Sequence, residues 1–335
     1  MEILRIGSSD GAGLRRWFEV VDAVEKHDSP DAPPPSARVW TGRPRTPWPG
    51  CEERVYLAID GPRAVGAARL KLFHHENRDV ACAWGWVLPG SRRLGVGRTL
   101  LRYLSDESHR AGRTRIVIEN PEPGPGHAFL AALGFRRVTR ERRWRLDLPA
   151  GQDLRTRYAP LLGEVRARAR GYSLVSWVDA TPERYVRDFA RAFGRMSTDV
   201  PHDALAWGQA GYDVQRVRDL EGVLDALGLR RYTTAAVDAG DTLVGYTCLA
   251  QPTDIPPGTA EQWDTFVLPE HRGRRLGLLL KIENLLWARQ REPRLTMVHT
   301  SNADANEAMV RVNRMIEFTP DVPWSKWERE VTGGR

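Results

Sequence analysis

The sequence predicts a mixed α/β (α+β) chain built from two copies of one domain. Three observations carry that reading. Residues 87–98 (VLPGSRRLGVGR) and residues 267–278 (VLPEHRGRRLGL) repeat the same pattern at a shift of 180 residues. Each copy stands between an apolar strand pattern and an apolar helix pattern, in the same element order, so duplication of a whole domain is the simplest account. A length of 335 residues with 41% hydrophobic content supplies two packed cores. Each copy is expected to be a mostly antiparallel, twisted mixed sheet flanked by helices.

In the first half, Glu2–Ile6 alternates as an edge strand, and Gly13–Lys26 places Leu14, Trp17, Phe18, Val21 and Val24 on one helical face. Residues 28–50 are rich in proline (DSPDAPPPS, GRPRTPWPG) and read as an irregular loop. Arg54–Ile59, Ala64–Phe73 and Val80–Leu88 are strands, the first two joined by a turn at Asp60-Gly61-Pro62. Leu94–Arg110 is a helix, Arg115–Glu119 a parallel strand, His127–Leu133 a short helix and Arg136–Leu148 a final hairpin. The charged stretch Asp153–Arg170, with Pro160 inside it, reads as a partly helical connector.

The second half repeats the order. A strand is expected at Ser173–Val178, helices within Pro182–Arg195 and Asp213–Leu227, and strands at Thr233–Val237, Leu243–Ala250 and Ala260–Leu268. A helix follows the glycine–arginine turn, then a strand at Leu295–Thr300, a helix at Ala305–Met315 and a strand at Pro323–Val331. The expected domains are 1–150 and 172–335, with 151–171 between them.

The two turns suggest chemistry. Pro269 ends its strand because it has no N–H to donate. His271–Gly277 then brings Arg272, Gly273, Arg274 and Arg275 to the start of a helix, where orphan N–H groups and the helix dipole favour an anion. Arginine adds charge-assisted contacts to phosphate oxygens. An ordinary αβ connection can carry the same residues, so the argument rests on the repetition.

The pattern V-x-P-x-x-R-x-x-G-x-G at a strand-to-helix junction resembles the acyl-CoA pyrophosphate loop of the GNAT N-acetyltransferase superfamily. Arg92-x-x-Gly95-x-Gly97 matches its R/Q-x-x-G-x-G/A; the second copy reads Arg272-x-x-Arg275-x-Gly277, with Arg for the first Gly. Leu133-Gly134-Phe135 and Ile316-Glu317-Phe318 sit where the family ends a helix with L-G-F. The resemblance covers nearly the whole chain. It implies acetyl-CoA as co-substrate, bound in the second copy by Val267, Leu268, Arg272, Gly273, Arg274, Arg275, Leu276 and Gly277.

The resemblance also implies a general base, often a Glu six residues before the Val of V-x-P. That position is Glu261 in the second copy and Ala81 in the first. Asp264, expected on the opposite strand face, is the second candidate. Family members often place an Asn against the pantetheine arm and a Tyr, five residues before the closing Phe, to protonate the leaving thiolate. The second copy has Asn306 and Asn313 there; the first has Pro123 and Leu130. Asn313 is no general acid but can hydrogen-bond sulfur or pantetheine. Glycines favour the first copy and polar residues the second, and three polar groups in register are harder to explain as packing. The second copy is therefore expected to be catalytic and the first degenerate.

Composition bounds the alternatives. A net charge of +7 admits nucleic acid, but no nucleic-acid-binding motif is present and a polyanionic co-substrate suits it equally. No apolar run is long enough to span a membrane, and no signal peptide pattern opens the chain. Cys51, Cys82 and Cys248 are scattered, as in a reducing cytoplasm, and Cys248 has no base beside it in sequence to make it a nucleophile. His74-His75 lack the further ligands a metal needs, His299 reads as a half-buried histidine, and the tryptophans, Trp263 among them, read as core. The expected activity is direct acetyl transfer to a small-molecule amine in a ternary complex, by a cytoplasmic monomer or homodimer without metal. The alternative is a catalytically silent CoA-binding or scaffold protein.

Overall fold

The computed structural model describes residues 1–199, 208, 211–255 and 258–331; residues 332–335 of the expected second domain lie outside them. In chain order the elements are β1 (Glu2–Ile6), α1 (Gly11–Asp28), α2 (Ala37–Gly42), β2 (Cys51–Asp60), β3 (Arg63–Phe73), β4 (Val80–Val87), α3 (Val96–Arg110), β5 (Arg115–Pro121), α4 (Pro125–Ala132) and β6 (Arg136–Asp147). The second half follows with α5 (Leu154–Arg168), β7 (Ser173–Val178), α6 (Val186–Asp199), α7 (Val214–Ala226), β8 (Leu229–Val237), β9 (Leu243–Pro252), β10 (Thr259–Val267), α8 (Leu276–Arg291), β11 (Met297–Ala303), α9 (Glu307–Met315) and β12 (Thr319–Glu330).

Two compact units result, Met1–Arg140 with Trp324–Arg335, and Glu141–Pro323. Within the first unit the strands lie in the order β1-β2-β3-β4-β5-β12, and within the second in the order β7-β8-β9-β10-β11-β6. Pairing is antiparallel throughout except between β4 and β5 and between β10 and β11. The units thus depart from the boundaries expected at 150 and 172. β12 is the last strand of the first unit, from Trp324 opposite Pro121 to Glu330 opposite Arg115. β6 is the last of the second, from Asp147 opposite Met297 to Glu141 opposite Ala303. Each unit takes its last strand from the other half of the sequence, and burial makes the exchange structural. Trp327 joins the first core, while Trp144 and Leu146 join the second. The hairpin expected at 136–148 is one strand; RRVTRERRWRLD holds no Gly, Pro or Asn to turn it.

Local chemistry explains the remaining departures. Within the proline-rich loop, the Ser36 Oγ accepts the Val39 N–H at 3.0 Å and caps α2. Trp40 of α2 then packs against Trp17 of α1 and Trp86 of β4, at ring-centre distances of 6.1 and 5.5 Å.

The two glycine–arginine turns share one backbone despite their different residues. Left-handed conformations fall at Arg93 (φ 65°) and Gly95 (φ 86°) in the first and at Gly273 (φ 82°) and Arg275 (φ 60°) in the second. Each copy therefore carries one glycine and one arginine at these two positions, in opposite order. Arg275 in place of the expected glycine costs about 1 kcal/mol of backbone strain and leaves the turn intact. Arg275→Gly should leave the melting temperature nearly unchanged, the relieved strain offsetting the lost 3.6 Å pairing with Glu164. Arg275→Val, β-branched at positive φ, should cost roughly 1–2 kcal/mol in a thermal melt.

Candidate active site

Strand β10 carries an irregularity that its counterpart lacks. Gln262 pairs with Leu249 and Thr265 with Thr247, so Trp263 and Asp264 together face the single residue Cys248. This is a β-bulge, which bends a strand and redirects its side chains. The buried Gln262 amide holds it closed: Nε2 donates to the Cys248 carbonyl at 2.7 Å, the Thr247 Oγ1 at 3.0 Å and the Asp264 carbonyl at 3.1 Å. Thr300 of β11 donates to the Gln262 carbonyl at 3.0 Å. In the first unit the same stretch of β4 pairs with β3 without interruption, from Leu72 opposite Ala81 to Gly66 opposite Val87.

Beyond the bulge, β10 and β11 part. Their parallel pairing runs from Thr259/Met297 to Glu261/His299 and stops, while β11 continues to Ala303 along β6. The parting leaves a gap between the two strands beyond Glu261 and His299.

The bulge also corrects the expected face of Asp264. A regular strand would turn it away from Glu261. With the extra residue it stands on the Glu261 side, near Arg231 of β8. Desolvation pushes the Asp264 carboxyl up to about 7; Arg231 works against this and the like charge of Glu261 adds to it. Buried Tyr246, with the half-buried Phe193 and Tyr212, forms an aromatic wall nearby, the Phe193 and Tyr212 ring centres lying 4.6 Å apart. Glu261 itself is exposed, and its Oε2 accepts the Trp263 indole N–H at 3.0 Å. Cys248 is buried and its thiol pushed up to about 11, chiefly by desolvation, which makes it a poor nucleophile.

At the turn, the guanidiniums are directed to protein partners. Arg272 Nε donates to the Val267 carbonyl at 3.0 Å, as Arg92 does to Val87 at 3.1 Å in the first unit. Arg274 donates to the Tyr172 hydroxyl, and Arg275 reaches the Met315 sulfur at 3.1 Å. The anion-binding capacity of the turn lies instead in its backbone. No side chain caps α8, so its first-turn N–H groups at Leu276, Gly277 and Leu278 lack intrahelical partners. A side chain at Gly277 would meet only Thr265 Cγ2, at 3.7 Å, so the turn is open above the strand end formed by Val267 and Leu268. These features suit a diphosphate.

The two asparagines play different parts. Asn306 caps α9, its Oδ1 accepting the Met309 N–H at 3.2 Å. Asn313 is fully buried; its Oδ1 accepts from the Lys281 ammonium at 2.6 Å and its Nδ2 donates to Asn302 Oδ1 at 3.0 Å. The sequence reading missed Lys281. It falls on the apolar stripe of α8 with Leu278, Ile282 and Leu285, and that misplacement was the available signal.

In the first unit the corresponding places hold other chemistry. Arg69 and Trp84 are register partners there, and the guanidinium carbon lies 4.0 Å from the Trp84 ring centre. Arg92 is bound to Asp28 at 2.7 Å. Burial pushes the Asp28 carboxyl up, but hydrogen bonds from Arg92 and His27 prevail and hold it below its ordinary value. Among the described residues no group of three or more His, Cys, Asp or Glu could hold a metal ion, and no helix is long and apolar enough to cross a membrane.

The profile of the Acetyltransferase (GNAT) family matches residues 20–135 and 201–314. A solved tandem GNAT protein from the clavulanic acid biosynthesis pathway is similar over 100% of this chain and 99% of its own, with 30% identity and a TM-score of 0.83. A GCN5-related N-acetyltransferase from Sphaerobacter thermophilus shares the fold over 99% and 97% of the two chains, at 17% identity and a TM-score of 0.65. No curated protein sequence matches the chain.

Proposed function

The chain belongs to the GNAT acetyltransferase family, and from that premise we propose that it transfers an acetyl group from acetyl-CoA to a small-molecule primary amine, with the second unit as the catalytic one. One observation carries the choice of unit. The bulge that sets a desolvated carboxylate beside parted strands is present in β10 and absent from β4.

Acetyl-CoA supplies an activated acyl carbon. The chain must then take a proton from the attacking amine and accommodate the negative charge that collects on sulfur. Asp264 serves the first need. A base with a pKa of about 7 is half ionised near neutral pH and strong enough to accept the proton of an amine as it forms its new bond. Desolvation sets that value; the exposed Glu261 adds to it and offers a charge to a cationic acceptor as it arrives. The backbone N–H groups at 276–278 hold the diphosphate, and Val267 and Leu268 line the entry to the parted strands. Asn302, held by the buried Asn313, faces the second need. In the first unit the Arg69–Trp84 stack stands in place of the carboxylate, which favours a supporting role for it.

The test is a CoA-release assay against a panel of primary amines, followed by initial-rate kinetics with the best acceptor. Intersecting double-reciprocal lines are expected for direct transfer in a ternary complex; parallel lines would refute it. Tight acetyl-CoA binding without turnover of any amine would favour the silent CoA-binding reading instead.

A further inference from the structure

Lys281 is a buried charge that packing does not explain. It is 2% exposed, and its Nζ has one close acceptor, the Asn313 Oδ1 at 2.6 Å. The Met309 sulfur at 3.9 Å and the Phe318 ring at 5.1 Å complete its surroundings. An ammonium has three donors, so this one is under-satisfied in an apolar setting. The carboxylates of the surrounding elements are committed elsewhere: Glu283 of α8 to Arg166, Glu164 of α5 to Arg275, and Glu307 of α9 to Arg311. Glu317, just before β12, pairs with Arg157, and Arg314 of α9 is exposed. Desolvation accordingly lowers the Lys281 ammonium to about 7, with nothing offsetting it.

The network leads somewhere. Asn313 passes from Lys281 to Asn302, and Asn302 lies three residues beyond His299, where β11 has left β10. We propose that Lys281 is a positioning residue for the sulfur end of the reaction: it locks the buried Asn313 carboxamide, whose Nδ2 holds Asn302 Oδ1 and so sets the half-buried Asn302 amide beside the parted strands, where charge collects on the leaving thiolate. This rests on the acetyltransferase reading above. When the carbon–sulfur bond breaks, its electron pair goes to sulfur and the amine proton goes to Asp264. The protonated lysine polarises the Asn313 amide, Asn313 in turn polarises Asn302, and a polarised Asn302 N–H is the stronger donor to an anionic sulfur. The thiolate then leaves or takes its proton from water.

The experiment titrates the thiol of bound CoA by the ultraviolet absorbance of its thiolate, in the wild type, Lys281→Met, Lys281→Arg and Asn313→Leu. In the wild type the bound thiol should ionise at least half a unit below its free value of about 8.5. The Met and Leu variants should lose that shift, and Arg, which stays charged, should keep part of it. In turnover, Lys281→Met should lower kcat roughly tenfold and leave KM for acetyl-CoA unchanged, as expected when a contact made only at the transition state is lost. A merely structural lysine would give the wild-type thiol titration in both Lys281 variants, whatever Asn313→Leu does, because replacing a buried charge by an apolar side chain is often neutral or stabilising. That result overturns the proposal alone. A wild type that binds no CoA overturns the acetyltransferase reading and the proposal with it.

Discussion

Asp264→Asn should reduce kcat by roughly two to four orders of magnitude, the range that a general base contributes. Acetyl-CoA affinity should survive, because the carboxylate belongs to the bulge and not to the helix N-terminus that binds the diphosphate. The wild-type rate should rise with pH around an apparent pKa of about 7, set by Asp264. In the Asn variant that limb should vanish, leaving only the rise that follows ionisation of the free amine. Stability should move the other way. The folded-state pKa of Asp264 lies above its ordinary 3.8, so the fold favours the neutral carboxyl. The stability tied to that preference is complete below about 4 and is lost as pH rises through about 7. Asparagine carries no such penalty. The variant should therefore match the wild type at pH 4 and melt a few degrees higher at pH 8. A large rate loss with an unchanged melting temperature would mean that Asp264 is not desolvated as described. Glu261→Gln should act differently, shifting the rate limb toward lower pH by removing a like charge, with a smaller effect on kcat.

The contrast between these two carboxylates shows where sequence reasoning reaches its limit. Duplication and element order are read from the residues themselves, and the strands at Glu2–Ile6 and Ser173–Val178 fall where the sequence predicts them. The β10 segment TAEQWDTFV reads as a regular strand because a bulge is a property of a pair, visible only against the partner β9. A regular strand predicts Asp264 on the face opposite Glu261, and the bulge brings it to the same side. The exchange of β6 and β12 was hidden for a related reason. A strand pattern identifies a strand but not its neighbour, and each of these strands alternates well enough for either unit. Lys281 was legible in principle, since an amphipathic pattern has no place for a lysine on its buried stripe. Its partner Asn313 gives no such warning, because its burial comes from a contact with α8 that α9 alone does not reveal.

The largest effect on binding is expected from one atom group at the turn. Gly277→Asp places a carboxylate among the uncapped N–H groups of α8. The fold tolerates it, because the new Cβ meets only the Thr265 methyl at an ordinary contact distance of 3.7 Å. The carboxylate serves the first-turn N–H groups itself and favours the helix dipole, so the variant should melt at or slightly above the wild-type temperature. Those donors are then occupied, and a diphosphate meets a fixed negative charge. Acetyl-CoA affinity measured by calorimetry should fall at least a hundredfold, about 2.7 kcal/mol on the affinity scale. The wild type should bind about one acetyl-CoA per chain. Gly97→Asp is the matching change in the first unit, where the Cβ contacts Phe129 at 3.5 Å and Val87 at 3.8 Å. It should leave acetyl-CoA binding unchanged if the first unit holds none. Two sites in the wild type, with one lost in each variant, would show that both turns bind, and that the missing bulge of β4 separates catalysis from binding. Loss of the only site in Gly97→Asp, with Gly277→Asp unaffected, would reverse the assignment of the two units. A backbone cradle also predicts that Arg272→Ala weakens binding far less than Gly277→Asp, because the Arg272 Nε is engaged by the Val267 carbonyl in the free protein.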